Sequence, residues 1–123
     1  LYDGKKLPFG DNFFDVVTCI DVIEHVEDYD SFLDELLRVS KRAVVIATPN
    51  RRPEYTEPDG TPKNYWHLRE WSQREFDEIA QKHSQAKVKW MFVDGPWDGP
   101  HKITNKVSSD TLVLLPVFVK NKA

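Results

Sequence analysis

The sequence predicts a single α/β domain, and three observations predict it. Two short segments, 14–20 and 43–48, are rich in β-branched residues, as buried strands are. The segment between them has the apolar spacing of an amphipathic helix. The chain has 123 residues, of which 40% are hydrophobic and 30% charged, and domains usually contain about 100–200 residues. These proportions are typical of one folded domain and not of a disordered chain.

The first predicted strand is Phe14–Ile20, with the sequence FDVVTCI after the turn-rich PFGDN. Because apolar residues occupy consecutive positions, we expect both faces of this strand to be buried in the middle of a parallel sheet. The chain offers one neighbouring strand and no second one. The sequence therefore predicts that the other edge pairs with something else, either polypeptide preceding Leu1 or a second copy.

A helix and a second strand follow. The helix is predicted to begin at Asp28 or Asp30 and to end near Ser40, with an apolar stripe formed by Phe32, Leu33, Leu36, Leu37 and Val39. The second buried strand is Ala43–Thr48, which Pro49 ends. Strand, helix and strand in this order form a βαβ unit, which we expect to cross over with the right hand.

The rest of the chain begins with a long loop. The segment from Pro49 to Trp71 has no periodicity and contains four of the eight prolines, and a structureless loop of this length is uncommon in a compact domain unless it is functional or disordered. Ser72 and Glu75 form a capping-box pattern that begins a second helix. The apolar segments Lys87–Val93 and Thr111–Val119 are predicted strands that complete the sheet.

Charge and cysteine content exclude several classes of protein. With 17 basic and 20 acidic residues the net charge is −3, which argues against nucleic acid as a partner. The single cysteine excludes an internal disulfide and favours a reducing compartment, so we expect a cytoplasmic location. No apolar run approaches the ~18 residues that a membrane span needs, so no membrane partner is expected.

The stretch from Asp3 to Asn50 resembles the second half of class I S-adenosylmethionine-dependent methyltransferases of the type 11-like group. An acidic residue, LPF, FDVV and VIEHV occur in it in the order and at the spacing of that family. The resemblance implies the carboxyl-terminal half of a Rossmann-like methyltransferase sheet, mostly parallel with an antiparallel strand at the far edge. Residues 1–123 would then be a partial methyltransferase domain, and 49–71 a loop on the acceptor side.

The resemblance also implies roles for particular residues. Asp3 matches the acid that binds the adenine amino group, and Gly4 matches the main chain that approaches the ring. Cys19 and Ile20 match the strand end that lines the methionine part of the cofactor S-adenosyl-L-methionine. His25 is the candidate catalytic base that would remove a proton from a hydroxyl acceptor.

The same region offers a possible divalent-metal set. Asp21, Glu24 and His25 would share one face if their segment is helical. With His67 in HLREWSQREF they resemble the two acids and two histidines with which small-RNA 3′-end 2′-O-methyltransferases bind metal. The favoured interpretation is that EH packs and caps, as in metal-free methyltransferases, and that no metal is bound.

Other conspicuous side chains are expected to have structural roles. Cys19 is predicted to be a buried and unreactive thiol. Trp90 is predicted to pack in the core or on a covered sheet face. His83 and His101 are not part of any recognisable group of candidate site residues in the sequence, and we expect both to face solvent.

The family's glycine-rich loop and ribose-binding acid lie on strands that have no counterpart in this sequence. We therefore expect this chain to be inactive alone and a longer parent chain to be the enzyme, which transfers a methyl group to a small-molecule or glycan-like acceptor. One alternative is a non-catalytic, truncated methyltransferase-like module that binds a partner through the open sheet edge. Another is a metal-assisted RNA 2′-O-methyltransferase.

Overall fold

The computed structural model describes residues 6–52, 54, 56–59, 61–63 and 69–121. The strands in these ranges are Phe14–Ile20 (β1), Ser40–Pro49 (β2), Ala86–Asp94 (β3), Lys102–Thr104 (β4) and Thr111–Lys120 (β5). The helices are Tyr29–Val39 (α1) and Gln73–Ala80 (α2), and a 3₁₀ turn covers Ile23–His25. Every predicted helix and strand is confirmed, whereas the short β4 was not predicted.

The strands form one sheet in the order β1-β2-β5-β3-β4. β1 and β2 are parallel, and the other three neighbouring pairs are antiparallel. The α/β class is confirmed, although the described sheet is less parallel than expected because β5 lies between β2 and β3. β1, β2 and β3 run in the same direction, so their carboxyl ends meet at one edge of the sheet, which we call the carboxyl edge.

The hydrophobic core lies between one face of the sheet and the two helices. Phe76 of α2 is fully buried in it, and its ring meets the rings of Trp71, Trp90 and Phe118 edge-on. The half-buried Trp90 also stacks on Phe92, which confirms its predicted packing role. Further buried apolar side chains come from α1 and from the central strands: Leu33, Leu37, Val44, Ile46 and Leu114.

The two helices begin where the sequence predicts. The Asp28 side chain accepts a hydrogen bond from the Ser31 N–H at the start of α1. Ser72 and Glu75 form the predicted capping box at the start of α2. Neither helix, in the part of the chain that the structure describes, has the length and apolar character required to cross a bilayer.

β1 lies at an edge of the sheet, and β2 is its neighbour among the described residues. The Cys19 side chain is buried, whereas Val16 and Ile20 are 51% and 60% exposed. The predicted burial of both faces is therefore wrong for this chain, because no described segment covers the face that Val16 and Ile20 share. The prediction that one edge of β1 finds no neighbour in the chain holds for the described residues.

His83 is buried, and the prediction that it faces solvent is wrong. The side chain is 5% exposed, with Nδ1 2.7 Å from Asp34 Oδ1 and Nε2 3.2 Å from Asp30 Oδ1. The two aspartates lie one turn apart on α1, and the end of α2 brings the ring to them. This contact joins residues far apart in sequence, so no local pattern indicates it. His101 is exposed, as predicted.

Candidate functional site

The candidate site lies at the carboxyl edge, where open α/β sheets bind their ligands. β1 ends there at Ile20, whose side chain is exposed. Asp21 follows with a φ of 55°, a left-handed conformation that turns the chain sharply. The Asp21 N–H donates to the Ala47 carbonyl at 2.9 Å. This hydrogen bond holds the main chain of Asp21 against β2.

The 3₁₀ turn beyond β1 buries an acid. Glu24 is fully buried, and its Oε1 accepts a hydrogen bond of 3.2 Å from Thr48 Oγ1 on β2. Burial raises the pKa of Glu24, and the nearby negative charge of Asp21 raises it further. The contact with Thr48 joins the turn to the end of β2, which is the packing role predicted for the EH pair.

His25 is the accessible member of that pair. Its side chain is 38% exposed, and its Nε2 lies 4.0 Å from Glu24 Oε2. Glu24 is therefore enclosed behind the turn, while the imidazole of His25 is within reach of solvent. A half-exposed imidazole at a ligand-binding edge can accept a proton from a bound hydroxyl.

The structure does not arrange the predicted metal set as a cluster. The segment is a single 3₁₀ turn that begins after Asp21, so Asp21, Glu24 and His25 do not share a helix face. Among the residues that the structure describes, no three His, Cys, Asp or Glu side chains are placed to hold a metal ion. His67, the fourth candidate, lies outside the described residues.

Two of the four predicted cofactor contacts can be located. Cys19 and Ile20 end β1 at the carboxyl edge, close in sequence to Glu24 and His25. The Cys19 thiol is buried, and this burial, with the nearby Glu24 charge, raises its pKa to about 11. It is therefore protonated at neutral pH, as expected for an unreactive core thiol. Asp3 and Gly4 lie outside the described residues.

Described residues of the 49–71 loop line a cleft together with Glu75 of α2. Asn50 and Trp71 make a parallel bridge, and the Arg51 N–H donates to the Trp71 carbonyl at 2.8 Å, so both ends of the loop meet beyond β2. The cleft has a volume of about 370 Å³, within the range of small-ligand pockets. Its lining includes Arg51, Asp59, Arg69, Glu70, Trp71 and Glu75. The loop's length indicated a functional region, but nothing in the sequence singled out Arg69.

Replacing Glu24 with glutamine is expected to raise the free energy of unfolding at neutral pH, because burial disfavours the ionised form of Glu24. The raised pKa means that the folded protein keeps a proton that the unfolded chain releases near the ordinary value of 4.5. This contribution is fully present below the unfolded pKa and is lost as the pH rises through the folded pKa. Glutamine does not ionise, so the free energy of unfolding of the variant should not decrease in this way as the pH rises.

Urea unfolding near the ordinary glutamate pKa and at neutral pH measures this difference. Glu27→Gln is the matched control for the loss of a carboxylate, because Glu27 is exposed two residues beyond the turn. A Glu24→Gln variant with the same pH dependence as the parent would contradict the expectation.

Comparisons with known proteins show similarity to methyltransferases. The family described as a methyltransferase domain matches residues 1–48. A protein of Mycolicibacterium smegmatis described as a probable S-adenosylmethionine-dependent methyltransferase is 36% identical over 78 residues, covering 62% of this chain and 30% of that protein. The small RNA 2′-O-methyltransferase of Arabidopsis thaliana is 31% identical over 102 residues, covering 67% of this chain and 11% of that protein. The chain thus spans less than a third of these curated relatives.

A solved structure extends the similarity to nearly the whole chain. An S-adenosylmethionine-dependent methyltransferase from Thermotoga maritima superimposes with a TM-score of 0.78, covering 96% of this chain and 61% of that one. The two sequences are 17% identical, so this comparison concerns the fold alone. It places the observed sheet among Rossmann-like methyltransferase folds.

Proposed function

We propose that this chain is part of a class I S-adenosylmethionine-dependent methyltransferase and that its parent protein methylates a small-molecule or glycan-like acceptor. The chain would form the carboxyl-terminal half of the catalytic domain. The observation that carries the proposal is the carboxyl edge of the parallel pair β1–β2, where Ile20 ends β1 and the turn with His25 follows it. Arg69, which lines the cleft of the 49–71 loop, donates to the Val26 carbonyl directly after this turn.

The described residues at this edge fit the methionine part of the family's cofactor. Ile20 offers an exposed apolar side chain, and the outer edge of β1 has no strand partner among the described residues. Main-chain amides and carbonyls near Cys19 and Ile20 would line the amino-acid end, while Asp3 and Gly4 would hold the adenine. When bound, S-adenosyl-L-methionine supplies a methyl group on a positively charged sulfur.

The residues of this chain would orient the acceptor and accept the proton of its hydroxyl group. As the acceptor oxygen forms a bond to the methyl carbon and the carbon–sulfur bond breaks, His25 would take the hydroxyl proton on its imidazole. Buried Glu24, 4.0 Å away, would keep the turn in place from behind. The cleft of the 49–71 loop would hold the acceptor in line with the methyl group, which is the main contribution of proximity and orientation.

We also propose that an amino-terminal half of the parent protein covers the exposed face of β1 and pairs with its outer edge. Val16 and Ile20 expose apolar surface on one face, and unpaired strand edges are normally covered or paired. A second copy of this chain could occupy the same edge. Sedimentation of the chain alone separates the two, because a monomer at high concentration would exclude the second copy.

Calorimetry on the parent protein tests the proposed function. It should bind S-adenosylmethionine or S-adenosylhomocysteine, and Asp3→Ala should weaken binding about 10–100-fold, as the loss of a hydrogen bond to a charged group does. Asp98→Ala removes an exposed carboxylate from the turn between β3 and β4 and should leave the affinity unchanged. If the parent protein binds neither compound, the proposal is rejected.

The two alternatives make different predictions. A non-catalytic module would bind no cofactor, so the same calorimetry distinguishes it. A metal-assisted RNA 2′-O-methyltransferase would lose activity with a chelator. The described residues lend this second alternative no specific support, because Asp21, Glu24 and His25 do not converge.

A further inference from the structure

Arg69 connects the 49–71 loop to the segment that follows the 3₁₀ turn. Its Nη1 donates to the carbonyl oxygen of Val26 at 2.8 Å and approaches that of Glu27 at 3.4 Å. The guanidinium carbon also lies 4.6 Å from the centre of the Tyr29 ring and 6.0 Å from that of Trp71. The side chain is thus held by directional hydrogen bonds and by the faces of two aromatic rings.

These contacts reach the residue that completes the turn. The Val26 N–H donates to the Ile23 carbonyl at 3.1 Å, which closes the turn around His25. When the Val26 carbonyl accepts from Arg69, both main-chain groups flanking the Val26 Cα are fixed. The position of the His25 main chain therefore depends on a side chain from the far end of the loop.

On the side of the 49–71 loop, the contacts of Arg69 continue through Trp71. Trp71, two residues after Arg69, is bridged to Asn50 at the end of β2 and packs edge-on against Phe76 in the core at 5.2 Å. A continuous set of contacts thus runs from the core through Trp71 and Arg69 to the turn. A displacement of the loop would move Arg69 and, with it, the Val26 carbonyl.

We propose that Arg69 is a positioning residue that joins the His25 turn to the described end of the 49–71 loop, residues 69–71. Its guanidinium would hold the main chain directly after His25 in place through the Val26 carbonyl. The role of His25 as a base rests on the proposed function, whereas the coupling of turn and loop through Arg69 can be measured without any methyl transfer.

The test uses this chain and the NMR signals of His25. Arg69→Gln should shift the imidazole carbon-bound proton resonances of His25 and speed amide exchange at His25 and Val26 by about tenfold, as expected when a hydrogen bond to a charged group is lost. Arg69→Lys retains the charge and one donor and should restore part of the protection. Arg74→Gln removes an exposed guanidinium from α2 and should change neither readout.

Two results would overturn the proposal: His25 signals and exchange rates unchanged in a folded Arg69→Gln variant, or equal changes in Arg74→Gln. If Arg69→Gln does not fold, Tyr29→Leu removes the ring beneath the guanidinium, and the same expected and overturning results apply to it. A parent protein that binds no S-adenosylmethionine would reject the proposed function while leaving these NMR readouts intact, so the two failures are distinguishable.

Discussion

Replacing Phe76 with alanine is expected to lower the free energy of unfolding by about 3–5 kcal/mol. Phe76 is fully buried, and its ring lies 5.2, 5.9 and 6.4 Å from the ring centres of Trp71, Trp90 and Phe118. Alanine would remove all three ring contacts and leave a cavity that the surrounding sheet and helix cannot fully close. Since small domains are stable by about 5–15 kcal/mol, urea unfolding should show a large decrease in the midpoint.

Phe13→Ala is the matched control for this prediction. It removes the same ring from a side chain that is 63% exposed and that meets the rings of Phe9 and Phe14 at the surface. We expect a loss below about 1 kcal/mol, as for most surface changes. Equal losses for Phe76 and Phe13 would contradict the assignment of Phe76 as the centre of the core.

Replacing Lys120 with methionine is expected to cost about 2–3 kcal/mol. Lys120 Nζ donates to the carbonyl oxygens of Leu37 and Ser40 at 2.8 and 2.7 Å and to Asn12 Oδ1 at 2.9 Å. The Leu37 carbonyl at the end of α1 also accepts from the N–H and the hydroxyl of Ser40, and a positive charge is favourable at a helix C-terminus. Methionine keeps most of the apolar stem but leaves all three oxygens without this donor at the end of α1.

Urea unfolding measures this loss, and Lys87→Met controls for the change of side chain. Lys87 lies exposed on β3, so its replacement should alter the free energy of unfolding by less than about 0.5 kcal/mol. Amide exchange in the last turn of α1 should increase in Lys120→Met and not in Lys87→Met. A Lys120→Met variant as stable as the control would show that the cap does not stabilise the helix end.

Part of the candidate site could be predicted from the sequence and part could not. The resemblance carried by FDVV and VIEHV led to the end of β1, and the structure does place Cys19, Ile20 and His25 at one edge of the sheet. The VIEHV motif by itself could not show that the side chain of Glu24 is buried against Thr48 while that of His25 is accessible to solvent. That division depends on where β2 lies relative to the turn, which is a contact between distant segments.

Local signals were sufficient for the elements themselves. The runs of β-branched residues predict β1 with its observed bounds, and Ser72 with Glu75 predicts the start of α2, because strand pattern and capping involve neighbouring residues. The tertiary structure alone decided that β5 is inserted antiparallel between β2 and β3. It alone brought His83 to the aspartates of α1 and Arg69 to the turn. These contacts depend on which faces become buried together when the chain folds, and spacing along the sequence does not contain that information.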